Sequence, residues 1–139
     1  MIRSHVVSNL IFDKADTQKC LNVSDYPDMA DLLVISDFLI TDYSSCAFDF
    51  ALTCKPILFA GFDEQEYLAN SRQFYSRPLE VEKLFVRSQK ELEDKILLLK
   101  ADDYKYYCQS FNDFYGVNET GSASEIVARY IKSKFENNI

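Results

Sequence analysis

Phe38-Leu39-Ile40-Thr41-Asp42-Tyr43-Ser44-Ser45-Cys46-Ala47-Phe48-Asp49-Phe50-Ala51-Leu52 reads as a strand, a tight polar turn and a helix start, in that order. Phe38 to Ile40 is a short apolar run of buried-strand type. The turn then sets small hydroxyl residues where a helix begins. A helix start has free backbone N–H groups and a partial positive charge, so it suits an anion, and Ser44 and Ser45 add rotatable donors. The same residues also suit a plain helix cap supplied by Asp42 or Ser44, and both readings stand on local chemistry.

Outward from this stretch, short apolar runs alternate with helical patterns. Ile57-Leu58-Phe59-Ala60 and Leu84-Phe85-Val86 are buried-strand runs, the first opened by Pro56, which also ends the preceding helix of Ser44 to Cys54. Upstream, Met1 to Val7 reads as the end of a strand and Cys20 to Val23 as a short strand. Ser24 or Asp25 caps a helix whose shared face is Met29, Leu32, Leu33 and Ser36. Downstream, Asp63 to Ala69 is helical and Asn70 to Pro78 is a polar loop. Ser88-Gln89-Lys90-Glu91 is a capping box opening a helix that carries Leu92, Ile96 and Leu99. Asp102 to Phe114 is an aromatic-rich helix. Ser122 to Glu125 is a second capping box, opening a last helix with Ile126, Val127, Tyr130 and Ile131 as a buried stripe. Strands alternating with helices predict an α/β fold with a parallel sheet.

The 139 residues allow one compact domain, and 47% apolar residues place the chain among globular rather than disordered sequences. A formal charge of −7 without a basic cluster argues against nucleic acid and against direct binding to an anionic membrane. Cys20, Cys46, Cys54 and Cys108 have no paired or metal-ligand spacing and read as buried free thiols in a reducing compartment. With His5 as the single histidine, a metal site is not expected. No apolar run reaches the about 20 residues of a membrane span, and no leader pattern is visible.

The run Tyr26 to Pro56, with Ile40-Thr41-Asp42-Tyr43-Ser44-Ser45 at its centre, resembles the CDP-glycerol glycerophosphotransferases of teichoic-acid type. The similarity continues through Phe62-Asp63 to Tyr67, Arg72-Gln73-Phe74-Tyr75 and Gly121-Ser122-Ala123-Ser124, and so covers nearly the whole chain. The resemblance implies a Rossmann-like parallel sheet, the C-terminal half-lobe of a GT-B glycosyltransferase, with residues 1–139 forming a single domain. It also implies that the chain is a fragment lacking an N-terminal lobe.

The site expected from this likeness lies at the carboxyl ends of the strands. Thr41, Ser44 and Ser45 would hold the donor phosphates. Asp42, repelled by a diphosphate, would orient the loop. Asp49 stands seven residues before Pro56, where GT-B enzymes often place the carboxylate that accepts from the nucleotide ribose; an exposed helical Asp is the alternative. The flanking Phe48, Phe50 and Ala51 argue against free exposure of Asp49. His5 would be the catalytic group, neutralising charge on the departing CMP, and Arg72 a phosphate or acceptor contact. The likeness implies no metal and no cofactor.

The donor implied is CDP-glycerol or a related CDP-alditol. The resemblance also implies a polyol-phosphate or glycan acceptor and a cytoplasmic, peripheral location at the inner face of the bacterial membrane, reached through parts outside this chain. The sequence departs from the family at Gln73, where a glycine is usual, and lacks a Pro-Gly-Pro stretch around Pro78 to Val86. The general base, a second histidine in the family, is not among these residues. The alternatives are a nucleotide-sugar glycosyltransferase of capsule or lipopolysaccharide synthesis and a non-catalytic nucleotide-binding or interaction module or truncated remnant.

Overall fold

In a computed structural model, residues 1–4, 19–70, 82–98 and 101–136 are described. They fall in two compact units, Met1–Ile35 and Ser36–Ile139.

In the first unit, the expected strand at Cys20 to Val23 is a single parallel bridge between Ile2 and Asn22, closed by Ile2 N–H to Leu21 O and Val23 N–H to Ile2 O, each 2.8 Å. Helix α1 (Met29–Ile35) buries Leu32 and Leu33. Its cap differs from the expected one. Asp28 Oδ1 accepts from Ala30 N–H at 2.8 Å, while Ser24 Oγ is bonded to Asn22 Oδ1 at 2.7 Å. Ser24 also takes the Ser4 N–H at 3.1 Å, so its hydroxyl ties the bridge rather than the helix.

The second unit holds a parallel sheet in the order β1 (Leu39–Thr41), β2 (Ile57–Ala60), β3 (Phe85–Val86). Leu39 pairs with Ile57 and Thr41 with Phe59, and Phe59 pairs in turn with Phe85. Parallel strands need crossovers. These carry α2 (Cys46–Ala51) between β1 and β2, and α3 (Glu64–Asn70) between β2 and β3. Then follow α4 (Gln89–Leu98), α5 (Ala101–Tyr115) and α6 (Ala123–Glu136). The parallel α/β class expected from the sequence is the one observed.

β2 is central, and Ile57, Leu58 and Phe59 are buried as a continuous apolar run should be. β1 departs from expectation. It has one strand neighbour among the described residues, and Ile40 is 45% exposed, so this is a half-buried strand rather than a buried one. α2 is shorter than Ser44 to Cys54. Thr53 Oγ1 donates to Phe50 O at 2.7 Å and Cys54 takes φ 54°, which ends the helix before Pro56.

α5 packs across α2 and the sheet. Phe111 meets Phe48 at 5.0 Å and Phe59 at 6.3 Å between ring centroids, Cys108 Sγ donates to Lys55 O at 3.2 Å, and Asn112 Nδ2 donates to Ala51 O at 3.3 Å. Burial pushes the Cys108 thiol up to about 11, which fits an inert interior thiol. Cys108 is the cysteine that is buried. Cys20, Cys46 and Cys54 are free but only part-buried, against the expectation of four interior thiols; Cys46 opens α2, and Cys20 and Cys54 lie outside the helices and strands.

α4 is tied to β3 by Lys95 Nζ, which donates to Phe85 O at 2.9 Å. The Ser88 box forms in altered shape: Ser88 Oγ accepts from Glu91 N–H at 3.2 Å, but Glu91 reaches back one residue further, to Arg87 N–H at 2.8 Å. That bond holds the Glu91 carboxyl below its ordinary range. In α6 the second box is replaced by a Ser122–Thr120 hydroxyl pair at 2.6 Å. The expected buried stripe of α6 is exposed. Ile126, Val127, Tyr130 and Ile131 all face outward, because none of the described elements lies over them.

Candidate functional site

The carboxyl ends of β1, β2 and β3 deliver three connections to one edge: Thr41 to Ser45, Gly61 to Asp63, and Arg87-Ser88. Such an edge is where open parallel sheets bind ligands. Thr41 closes β1, its Oγ1 3.8 Å from Cys46 Sγ. Ser44 Oγ accepts from Cys46 N–H at 3.3 Å, so of the two expected caps it is Ser44 that serves the helix start. Ser45 occupies the residue before α2, is exposed, and makes no side-chain cap bond. Its hydroxyl is therefore spare, and that of Ser44 keeps its proton for another acceptor.

Asp42 is exposed at the turn. Asp49 is exposed on α2 beside Phe50, which is fully buried, so the expectation that its aromatic neighbours would enclose it is not met. A six-residue helix with one face on the sheet leaves the other in solvent. His5 and Arg72 lie outside the described residues.

Two groups at this edge were not assigned roles from the sequence. Tyr43 Oη donates to Asp63 Oδ1 at 2.8 Å and its ring stacks on Tyr67 at 4.0 Å. Burial and the adjacent Asp63 carboxylate raise the phenol's pKa above its ordinary value, which keeps it a donor. Arg87 follows β3 directly. Its Nε donates to Glu64 Oε2 at 2.8 Å and its Nη2 to Glu82, and these partners raise its pKa. Glu64 is 8% exposed, so the guanidinium supplies the counter-charge a buried carboxylate needs. A basic residue placed directly after the last strand was the available signal. The Tyr43–Asp63 pair has no local signal, since it joins residues twenty apart. Electrostatically, this edge presents Asp42, Asp63 and Glu64 beside Arg87, with neutral N–H and O–H donors at Ser44 and Ser45.

Parallel strands joined by helical crossovers, with a turn at their carboxyl edge, make a Rossmann-like arrangement, the fold class shared by the lobes of GT-B transferases. Comparison with known proteins narrows this class. The chain belongs to the CDP-glycerol:poly(glycerophosphate) glycerophosphotransferase family, whose model matches residues 1–133. It is 37% identical over 112 residues to the teichoic acid poly(glycerol phosphate) polymerase of Bacillus subtilis (strain 168), covering 78% of this chain and 15% of the relative. It is 32% identical over 111 residues to the teichoic acid poly(ribitol-phosphate) polymerase of Bacillus spizizenii, covering 78% and 17%. Among solved structures it is similar to a variant of the wall teichoic acid polymerase TagF soaked with CDPG, with TM-score 0.64 and 28% identity over 85% of this chain and 30% of that one. The chain thus spans less than a fifth of these two curated relatives and about three tenths of the solved polymerase.

Proposed function

We propose that this chain is the donor-binding part of an enzyme that transfers glycerol phosphate from CDP-glycerol to a polyol-phosphate or glycan acceptor in bacterial surface-polymer synthesis. One observation carries the reading: the family match covers residues 1–133, a range that includes the hydroxyl turn at the carboxyl edge of the sheet. Residues 1–139 then form one donor-binding domain of the C-terminal lobe. The diphosphate lies on the N–H and O–H donors of Thr41, Ser44 and Ser45. Asp42 turns the loop and stays off the phosphates by repulsion, and the exposed Asp49 accepts from the ribose hydroxyls.

The acceptor hydroxyl attacks the β-phosphorus, the bond from that phosphorus to the bridging oxygen breaks, and CMP leaves. The attacking hydroxyl's proton goes to a base outside this chain. Work of this kind is positioning and charge stabilisation. His5 and Arg72 are the cations this scheme assigns to the leaving group and to a phosphate or acceptor contact. No helix among the described residues is long and apolar enough to cross a membrane.

Likeness to a ribitol-phosphate polymerase makes CDP-ribitol the rival donor. Thermal-shift measurements with CDP-glycerol, CDP-ribitol and UDP-sugars separate the possibilities, since a ligand that binds the folded state raises the melting temperature. We expect the largest rise with CDP-glycerol. A larger rise with a UDP-sugar favours the sugar transferase, and no rise with any of them favours a non-catalytic interaction module.

A further inference from the structure

We propose that Tyr43 and Asp63 form a latch that fixes where the Ser44 and Ser45 hydroxyls stand, which makes both of them positioning residues for the donor diphosphate; this rests on reading the turn after β1 as the donor site. Tyr43 immediately precedes the two serines. The contacts of Thr41 and Ser44 go to Cys46, within the same turn, and cannot set that turn against the rest of the sheet edge. Tyr43 does reach across. Its hydroxyl donates to Asp63 Oδ1 at 2.8 Å, on the connection leaving β2, and its ring lies on Tyr67 of α3 at 4.0 Å with an interplanar angle of 25°.

Gly61 lies beside this arrangement. A Cβ added there would sit in ordinary contact, 3.4 Å from Phe85 Cδ1 and 3.7 Å from Tyr43 Oη, so the tyrosine packs closely over this backbone without requiring a glycine there. The stack fixes the plane of the ring, and the directional hydrogen bond fixes its position along that plane. The backbone one residue later carries the first of the two serine hydroxyls. Displacement of about 1 Å is enough to spoil a donor aimed at a phosphate oxygen. The raised pKa of Tyr43 keeps its proton on the phenol, so the latch stays closed throughout the neutral range.

The test is titration calorimetry of the full-length protein with CDP-glycerol, together with its melting temperature. Tyr43→Phe keeps the stack and removes the bond. It should weaken donor binding about tenfold while the melting temperature changes little. Asp63→Leu should do the same, and the double variant should be no worse than either single one, because both remove one interaction. Asp63→Asn keeps an acceptor oxygen and should bind at least as tightly as the parent protein.

A Tyr43→Phe variant with unchanged affinity overturns the latch, whether or not it melts earlier, and so do losses in the two single variants that multiply in the double one. Replacing Ser44 and Ser45 by alanine separates the two failures. If that variant loses affinity and Tyr43→Phe does not, the latch alone is wrong. If neither loses affinity, the donor site is wrong and the latch falls with it.

Discussion

Aromatic pairs occur in two places on this sheet, and they do different things there. On the packed face, Phe59 and Phe85 from neighbouring strands stack at 4.7 Å with a 12° interplanar angle, and Phe111 of α5 joins them; all three are buried. At the carboxyl edge, Tyr43 and Tyr67 stack more closely, at 4.0 Å, but both are half-exposed and the Tyr43 hydroxyl donates to Asp63. A buried phenylalanine contributes by area and shape and has no preferred polar partner. An edge tyrosine contributes less area and one directed bond. The face therefore decides whether strands and helices hold together, and the edge decides where a loop points.

Phe111→Ala should have the largest effect, on stability alone. Its ring touches Phe48, Phe59 and Tyr115, so deletion leaves a cavity at the junction of α5, α2 and the sheet. Loss of about 3–5 kcal/mol is expected in denaturant unfolding, with an unchanged dependence on denaturant. A loss below about 1 kcal/mol would mean that α5 does not hold this face. The edge should respond in the opposite sense. Changing Ser44 and Ser45 together to alanine removes one long 3.3 Å cap bond and a hydroxyl with no cap role, about 1 kcal/mol or less of stability. The same change should weaken CDP-glycerol binding in the full-length protein by tenfold or more, since hydrogen bonds to charged oxygens are the stronger kind. Parallel losses in both measurements would erase the division between face and edge.

The face was also the more legible part of the sequence. Ile57-Leu58-Phe59-Ala60 is a continuous apolar run between Pro56 and Gly61, and it forms β2 at those residues. Phe38-Leu39-Ile40 looks the same in sequence, yet the strand is Leu39–Thr41 and half-exposed, because burial depends on how many neighbours a strand has and not on its own residues. α6 makes the same point. Its stripe has helical spacing, and the helix forms at Ala123–Glu136, but periodicity names a face and not what covers it. At the edge, the hydroxyl turn was readable because small polar residues before a helix are a local signal. The Tyr43–Asp63 bond was not, because it exists only through the register that sets Thr41 beside Phe59. The Arg87–Glu64 pair likewise spans the crossover from β2 to β3, with its partners 23 residues apart.

Asp49 and Phe50 bring the contrast down to adjacent residues on one short helix, the first exposed and the second with no accessible surface. Asp49→Ala should leave stability within about 1 kcal/mol. Alanine is the better helix former, and the carboxylate's interaction with the start of α2 is worth only a few tenths to 1 kcal/mol. Its effect on ligands should be small and selective. Removing a negative charge near a diphosphate favours every nucleotide alike, whereas removing an acceptor harms only those with hydroxyls to donate. The informative quantity is therefore a ratio: affinity for the ribonucleotide should fall about threefold to tenfold relative to that for its deoxy analogue. If the two change together, Asp49 acts on ligands through charge alone, and the ribose must find its acceptor elsewhere on the edge.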